Sequence, residues 1–433
     1  MMKYFRKFLF AAAILCVSVL LCRAYTSHLR NEVARLYSEK RNTVSLYTGV
    51  PEKDKGCAWL EESGKYEDLI VMGSSELTSG VPQSIRNNFP NTDYEHNISM
   101  IGHAYVQNYL HAMELGTNYS ALQGCDIVLI ESIQWFYGDD ISEAGFLSNF
   151  SELQFYRFLH NEQLSEESKQ YLCSRFLTIE ARRSGLYSAE EMRARYTSGL
   201  AGRLMGLPFV GKLLRSSRGA YDYPKTHLLA KLYTADGIME RMLYQLMRPY
   251  YFLRGEMLEL QDSYRACRYL KSLREQEKPI FDAAWEAQLQ KAEEEGAASC
   301  TNNAFYVADS YYTTYLEPSI EEQRGAYAGT TALSSAEWDD LRFFLRVCNE
   351  LGAEPYLINV SLNGYYADYT GMEKAMRQAY YTRLRETAEE YGVAVYDGLT
   401  EREYEPYVFA DIMHLGWKGW IYVTKAITEH YGA

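Results

Sequence analysis

A serine hydroxyl is a poor nucleophile at neutral pH until a neighbouring imidazole takes its proton, and a carboxylate then fixes the imidazole's tautomer. This chain carries those three groups at its two ends. Near the start, Asp68-Leu69-Ile70-Val71-Met72-Gly73-Ser74-Ser75-Glu76-Leu77 runs from an apolar stretch through a glycine into two hydroxyls. Near the finish, Asp411-Ile412-Met413-His414-Leu415-Gly416-Trp417 sets a carboxylate and an imidazole three positions apart. A short loop can aim both at one serine. The Asp-x-x-His spacing is common, and taken alone a histidine satisfied within its loop is the plainer account of it. Its pairing with the early Gly-x-Ser turn makes Ser75 a candidate nucleophile, His414 its base and Asp411 the orienting acid.

Such an arrangement needs a scaffold that brings distant segments together. The length of the run 69–72, its β-branched Ile70 and Val71 and the Gly73 stop predict a buried strand. A serine just past the carboxyl end of a central parallel strand lies where open α/β sheets place ligands. Further strands are expected at 94–99, 126–132, 355–362 and 393–396, with helices at 104–115, 374–391 and 417–431. Ser334-x-x-Glu337 reads as a capping box opening a helix that Gly352 stops. Strands alternating with helices indicate a mostly parallel sheet covered on both faces. Residues 62–145 and 330–433 are assigned to this α/β domain. Between them, 146–329 mixes charged and aromatic residues at helical spacing and reads as a large helical insertion. Within it, residues 199–218 carry Arg203, Lys212, Arg215 and Arg218 but no acid. That piece could rest on a bilayer surface, and a core-facing helix pair with a solvated basic edge fits it equally.

The 433 residues can bury a sizeable core, and a net charge of −13 argues against a nucleic-acid partner. The eight cysteines show no Cys-x-x-Cys spacing, which argues against a zinc site or a disulfide framework. No metal or cofactor is expected. Lys3, Arg6 and Lys7 precede an uninterrupted apolar or small stretch over 8–22, and no small-x-small cleavage site follows it. Residues 1–25 are therefore expected to be an uncleaved membrane anchor, a single transmembrane helix with the amino terminus cytoplasmic and the body outside. Residues 26–61 would be a stalk, helical in look over 29–47.

Serine first and Asp-x-x-His last is the order of the SGNH superfamily of esterases and acyltransferases, and the two segments resemble it. Ser74 stands where that superfamily's first block usually has an acid, so it reads as a helper hydroxyl or a turn former. Further blocks sharpen the likeness. Gly-Ser-Ser-Glu-Leu (73–77), Ser-Ile-Gln-Trp-Phe (132–136), Thr-Asn-Asn-Ala-Phe (301–305), Asn-Gly-Tyr-Tyr-Ala-Asp-Tyr-Thr-Gly (363–371) and Asp-Ile-Met-His-Leu-Gly-Trp-Lys-Gly-Trp (411–420) resemble the DltD family. Ile133 replaces a proline common there. The resemblance implies a three-layer SGNH-hydrolase-like fold and a role outside the cytoplasmic membrane in D-alanylation of lipoteichoic acid. The implied partners are a membrane-bound O-acyltransferase, the D-alanyl donor system, lipoteichoic acid and the membrane. By the same analogy the Ser75 N–H, Gly102 and Gln134 would supply the oxyanion donors; a turn glycine and a strand-end cap are their plainer readings. Two alternatives stay open: an esterase or O-acetyltransferase acting on a cell-wall or exported polysaccharide, and a non-catalytic organiser of an acyltransferase complex.

Overall fold

Runs of β-branched and apolar residues that alternate between two buried faces make the centre of the molecule. The computed structural model describes residues 2–41, 55–88, 97–137, 140–184, 223–273 and 284–432. The basic segment 199–218, residues 42–47 of the expected helix and 94–96 of the second expected strand lie outside these. In chain order the principal elements are α1 (Met2–Lys40), α2 (Ala58–Lys65), β1 (Leu69–Met72), β2 (Ile98–Ile101), α3 (Asn108–Leu122) and β3 (Ile127–Ser132). A helical run follows, with α4 (Glu143–Asn149), α5 (Glu152–His160), α6 (Glu166–Ser184), α7 (Pro224–Thr234), α8 (Ile238–Ser272) and α9 (Trp285–Ser299). The chain closes with α10 (Glu337–Leu351), β4 (Pro355–Val360), α11 (Gly364–Tyr369), α12 (Lys374–Glu390), β5 (Val395–Tyr396) and α13 (Trp417–Tyr431).

Among the described residues five strands form one parallel sheet, in the order β2-β1-β3-β4-β5. Period two sends Ile70, Met72, Ile127, Leu129 and Leu357 to one face, under α3, α10 and α12. It sends Leu69, Val71, Val128, Ile130 and Ile358 to the other, under α13. Both faces of β1 to β4 are buried, so these strands read as mainly apolar runs rather than alternating ones. The chain leaves β1 toward β2 on one side and returns to β3 on the other. That reversal opens a crevice beyond the carboxyl ends of β1 and β3.

The helical run does not pack apart from this core. Phe146, Phe150, Phe155, Phe158 and Phe176 of α4–α6 share one buried cluster with α3, α10 and the sheet. Nor is the segment after the expected anchor free-standing: Leu29, Val33, Leu36 and Tyr37 are buried against Trp59 and against Ala266, Cys267 and Leu270 of α8. Tyr37 and Arg41 both bond Asp68, each at 2.7 Å, which ties the end of α1 to the residue before β1. Where a transmembrane helix was expected there is the amino-terminal part of the continuous helix α1. Among the described residues no helix is long and apolar enough to cross a membrane.

Several element boundaries differ from the sequence reading: the strands expected at 94–99, 355–362 and 393–396 run over 98–101, 355–360 and 395–396, and two helix starts differ for a visible reason. α3 begins at Asn108 rather than 104, because Gly102 (φ 119°) and Tyr105 (φ 71°) hold the connection in left-handed backbone that a helix cannot continue. The capping box at Ser334 and Glu337 does not form. Ala336 is the cap residue of α10, Ser335 Oγ accepts the Glu337 N–H, and the Glu337 carboxylate turns inward to accept the Asn108 N–H at 3.0 Å. Glu337 thereby caps α3, a neighbour no local pattern could name. Gly352 does stop α10 in the left-handed conformation (φ 73°).

Candidate functional site

β1 ends at Met72, and Gly73 carries the chain into a 3-10 turn over Ser75–Thr78. The approach is tight: a Cβ on Gly102 would sit 1.9 Å from the Gly73 carbonyl oxygen, so only glycine lets the end of β2 lie against this turn. The Ser75 hydroxyl is 2.6 Å from His414 Nε2.

The other half of the site is the loop before α13. A lone antiparallel bridge joins Phe409 and Leu415, and Ala410 N–H donates to the His414 carbonyl at 3.0 Å. Gly416 crosses so near this loop that a Cβ there would lie 2.6 Å from the Phe409 carbonyl carbon. Both oxygens of Asp411 are used. Oδ1 accepts the backbone N–H groups of Met413 (2.8 Å) and His414 (2.7 Å), and Oδ2 faces His414 Nδ1 at 2.7 Å. With Nδ1–H donating to Asp411, Nε2 is left as the acceptor for the Ser75 hydroxyl. Burial lowers the His414 pKa, but the hydrogen bond and charge of Asp411, with the charge of Glu76, outweigh it and raise the pKa above 6.5.

These groups open on a cleft of about 770 Å³. Its walls are mostly small, with Ser79, Gly80, Ala298, Ser299, Ala308 and Ser310 among them, and Tyr311 and Trp417 supply the aromatic surface. Glu295 adds a carboxylate, held by Gln83 Nε2 at 2.6 Å. The far wall is shaped by the asparagine-rich motif. Asn303 Oδ1 accepts the Phe305 and Val307 N–H groups, Asn363 Nδ2 donates to the Phe305 carbonyl at 2.7 Å, and Ala308 N–H reaches the Ala410 carbonyl at 2.8 Å. These motifs build loops, and the loops hold the cleft wall against the histidine.

Ser75, His414 and Asp411 are thus brought together, and Ser74, Gly102 and Gln134 stand apart from the cleft wall. Ser74 is buried; its N–H donates to Glu76 Oε1 at 2.6 Å and its hydroxyl to the His103 carbonyl at 3.4 Å. Gly102 and Gln134 follow β2 and β3, the strands flanking β1, and Gln134 is half-buried. Sequence reading missed Glu76, a buried acid beside the turn, and the wall residues Glu295 and Tyr311. Glu76 was visible within the Gly-Ser-Ser-Glu-Leu block; nothing local pointed to the other two.

The match to known proteins now has a geometry to attach to. The family described as DltD protein matches residues 51–200 and 213–432. The chain belongs to the DltD family. Protein DltD of Staphylococcus aureus (strain NCTC 8325 / PS 47) is 26% identical over 433 residues, covering 99% of this chain and 96% of that protein. Protein DltD of Bacillus subtilis (strain 168) is 26% identical over 370 residues, covering 84% of this chain and 82% of its own length. Protein DltD of Lacticaseibacillus rhamnosus matches a shorter stretch, 25% identical over 146 residues, covering 31% of this chain and 34% of that protein. The DltD match takes in both halves of the site, from β1 through α13.

Proposed function

We propose that this DltD-family protein is a serine acyltransferase acting in D-alanylation of lipoteichoic acid. The observation that carries this reading is the hydrogen-bonded series Ser75 Oγ–His414 Nε2 at 2.6 Å and His414 Nδ1–Asp411 Oδ2 at 2.7 Å, opening on a cleft. In the first half-reaction Ser75 Oγ attacks the D-alanyl carbonyl as His414 takes its proton. The tetrahedral intermediate collapses, and His414 gives that proton to the leaving group. In the second, His414 deprotonates a polyol hydroxyl of the acceptor, which attacks the acyl-serine; as the Ser75 Oγ–acyl bond breaks His414 returns the proton to Oγ, leaving the D-alanyl ester on the polymer and the serine free. Asp411 keeps Nδ1 protonated and steadies the imidazolium in both. Oxyanion stabilisation falls first to the Ser75 N–H, with Ser74 shaping the turn; Gly102 and Gln134, which the family resemblance also implies as donors, stand off the cleft wall.

The small-residue walls suit a small acyl group on an extended polyol. Glu295, 3.7 Å from Lys291 Nζ, sets a carboxylate on this wall, which suits an acyl group bearing an ammonium better than acetate. The apolar side chains of α1, among them Leu9, Phe10, Ile14, Leu15, Leu20 and Leu21, are exposed, which supports attachment to the membrane through this helix, with the body on the outer side. There it would meet a membrane-bound O-acyltransferase supplying the D-alanyl group.

The test is the D-alanine ester content of the envelope in cells whose only copy carries Ser75→Ala. Loss to the level of cells lacking the protein is expected. Full D-alanine content would indicate an organising role instead, and Ser75-dependent acetate on a wall polymer would indicate the acetyl-transfer chemistry.

A further inference from the structure

We propose that Glu76 is a positioning residue for the Ser75–His414 pair, a second acid of the site that holds the nucleophile's turn. The inference rests on the acyl-transfer reading and adds to it a group that this reading leaves unused.

Glu76 follows the proposed nucleophile directly, yet its side chain is buried and turns back under the strand end. Oε1 accepts the Ser74 N–H at 2.6 Å, and a Cβ on Gly73 would meet the same oxygen at 2.6 Å, so the carboxylate fills the space a side chain at 73 would take. Its hold on the Ser74 N–H fixes the Gly73–Ser75 turn and with it the direction of the Ser75 hydroxyl. Glu76 lines the same cleft as Ser75 and His414. Burial raises its pKa above the usual carboxylate range, with the Ser74 N–H and the charge of His414 acting against that rise, and its charge in turn helps raise the His414 pKa. The remaining titratable group coupled to it is Glu131 on β3, a buried acid whose own pKa is pushed up to about 8 by burial and which is therefore neutral near pH 7.

The division of labour follows from the contacts. Asp411 contacts Nδ1 and selects the tautomer. Glu76 makes no hydrogen bond to the ring and acts through the field, which strengthens with burial because little water screens it. A field that favours imidazolium makes His414 a stronger base when it takes the Ser75 proton. It also means that His414 must be deprotonated at higher pH before it can act.

Glu76→Gln separates the two roles, because the amide keeps an acceptor for the Ser74 N–H and removes the charge. The full chain in detergent is assayed for hydrolysis of a small aryl ester across pH 5–9. The His414 ring is titrated by its Cε1–H signal, assigned by its absence in His414→Gln. In Glu76→Gln the acid limb and the His414 titration are expected to move together to lower pH by about one unit. Plateau kcat should fall roughly tenfold with KM little changed. Glu76→Asp should restore part of the shift. A uniform loss of rate with an unmoved acid limb and an unmoved His414 titration would overturn the proposal and leave Glu76 a structural residue. Ester hydrolysis that does not depend on Ser75 would instead sink the acyl-transfer reading, and the ring titration would still decide whether Glu76 and His414 are coupled.

Discussion

Of the eight histidines, His96, His111 and His414 have an acid three positions away, and the last two pairs lie among the described residues. The two pairs sit in unlike places. His111 and Glu114 lie on successive turns of α3, both buried, with Nδ1 and Oε2 3.3 Å apart and the ring near Trp135. His414 and Asp411 lie on a loop at a cleft, 2.7 Å apart, with Asp411 further pinned by two backbone N–H groups. A helix can bring i and i+3 together, but it aims both along one face. A loop braced by a bridge and a glycine crossing can point its imidazole at a serine from the other end of the chain. Spacing therefore makes an acid–imidazole pair, and its surroundings decide whether the pair can do chemistry.

The largest expected effect is at the loop pair. Asp411→Asn should lower the rate of ester turnover by about 10³–10⁴, since the amide presents an N–H to Nδ1 and turns the imidazole to the wrong tautomer. The protein should remain folded by circular dichroism. A loss under tenfold would put His414 and Asp411 on a par with the helix pair. In the unaltered protein turnover needs neutral His414, whose pKa is raised, so the rate should fall as pH drops through a value above 6.5. A rate profile with its acid limb below 6.5 would contradict the assignment of His414 as base.

An intermediate effect is expected at the helix pair, on stability. His111→Ala removes a buried ring and should cost about 2–3 kcal/mol in a denaturant titration, while turnover per folded molecule is unchanged. Ester turnover falling as far as it does in Asp411→Asn, with the fold intact, would erase the distinction between the two pairs.

The smallest expected effect concerns Glu131, buried on β3 with its pKa raised to about 8 by burial. The folded state holds a proton there that the unfolded chain releases near pH 4.5. This group's contribution to stability is therefore full below about 4.5 and is lost as pH rises through about 8. Glu131→Gln should abolish that slope and raise the melting temperature by ~1–3 °C at pH 9 relative to the unaltered protein, with little gain at pH 5. An equal change at both pH values would mean the carboxyl is not protonated in the fold.

The sequence by itself determined the local pieces. Leu69–Met72, Ile127–Ser132 and Pro355–Val360 are strands because short β-branched and apolar runs bounded by polar or turn residues have few other places to go. Trp417–Tyr431 is a helix because its buried positions recur at helical spacing. The same order of blocks that marks the family carried Ser75, His414 and Asp411. Tertiary structure alone decided the rest. Strand order is not encoded in any strand, so the crevice beside β1 follows from the crossover between β1 and β3. Glu337 abandoned its own helix end for that of α3 because a buried N–H there had more to lose than a solvated one. Glu76, Glu295 and Tyr311 became part of the site through folding, since burial and field depend on what surrounds a residue and the residues around these three come from distant parts of the chain.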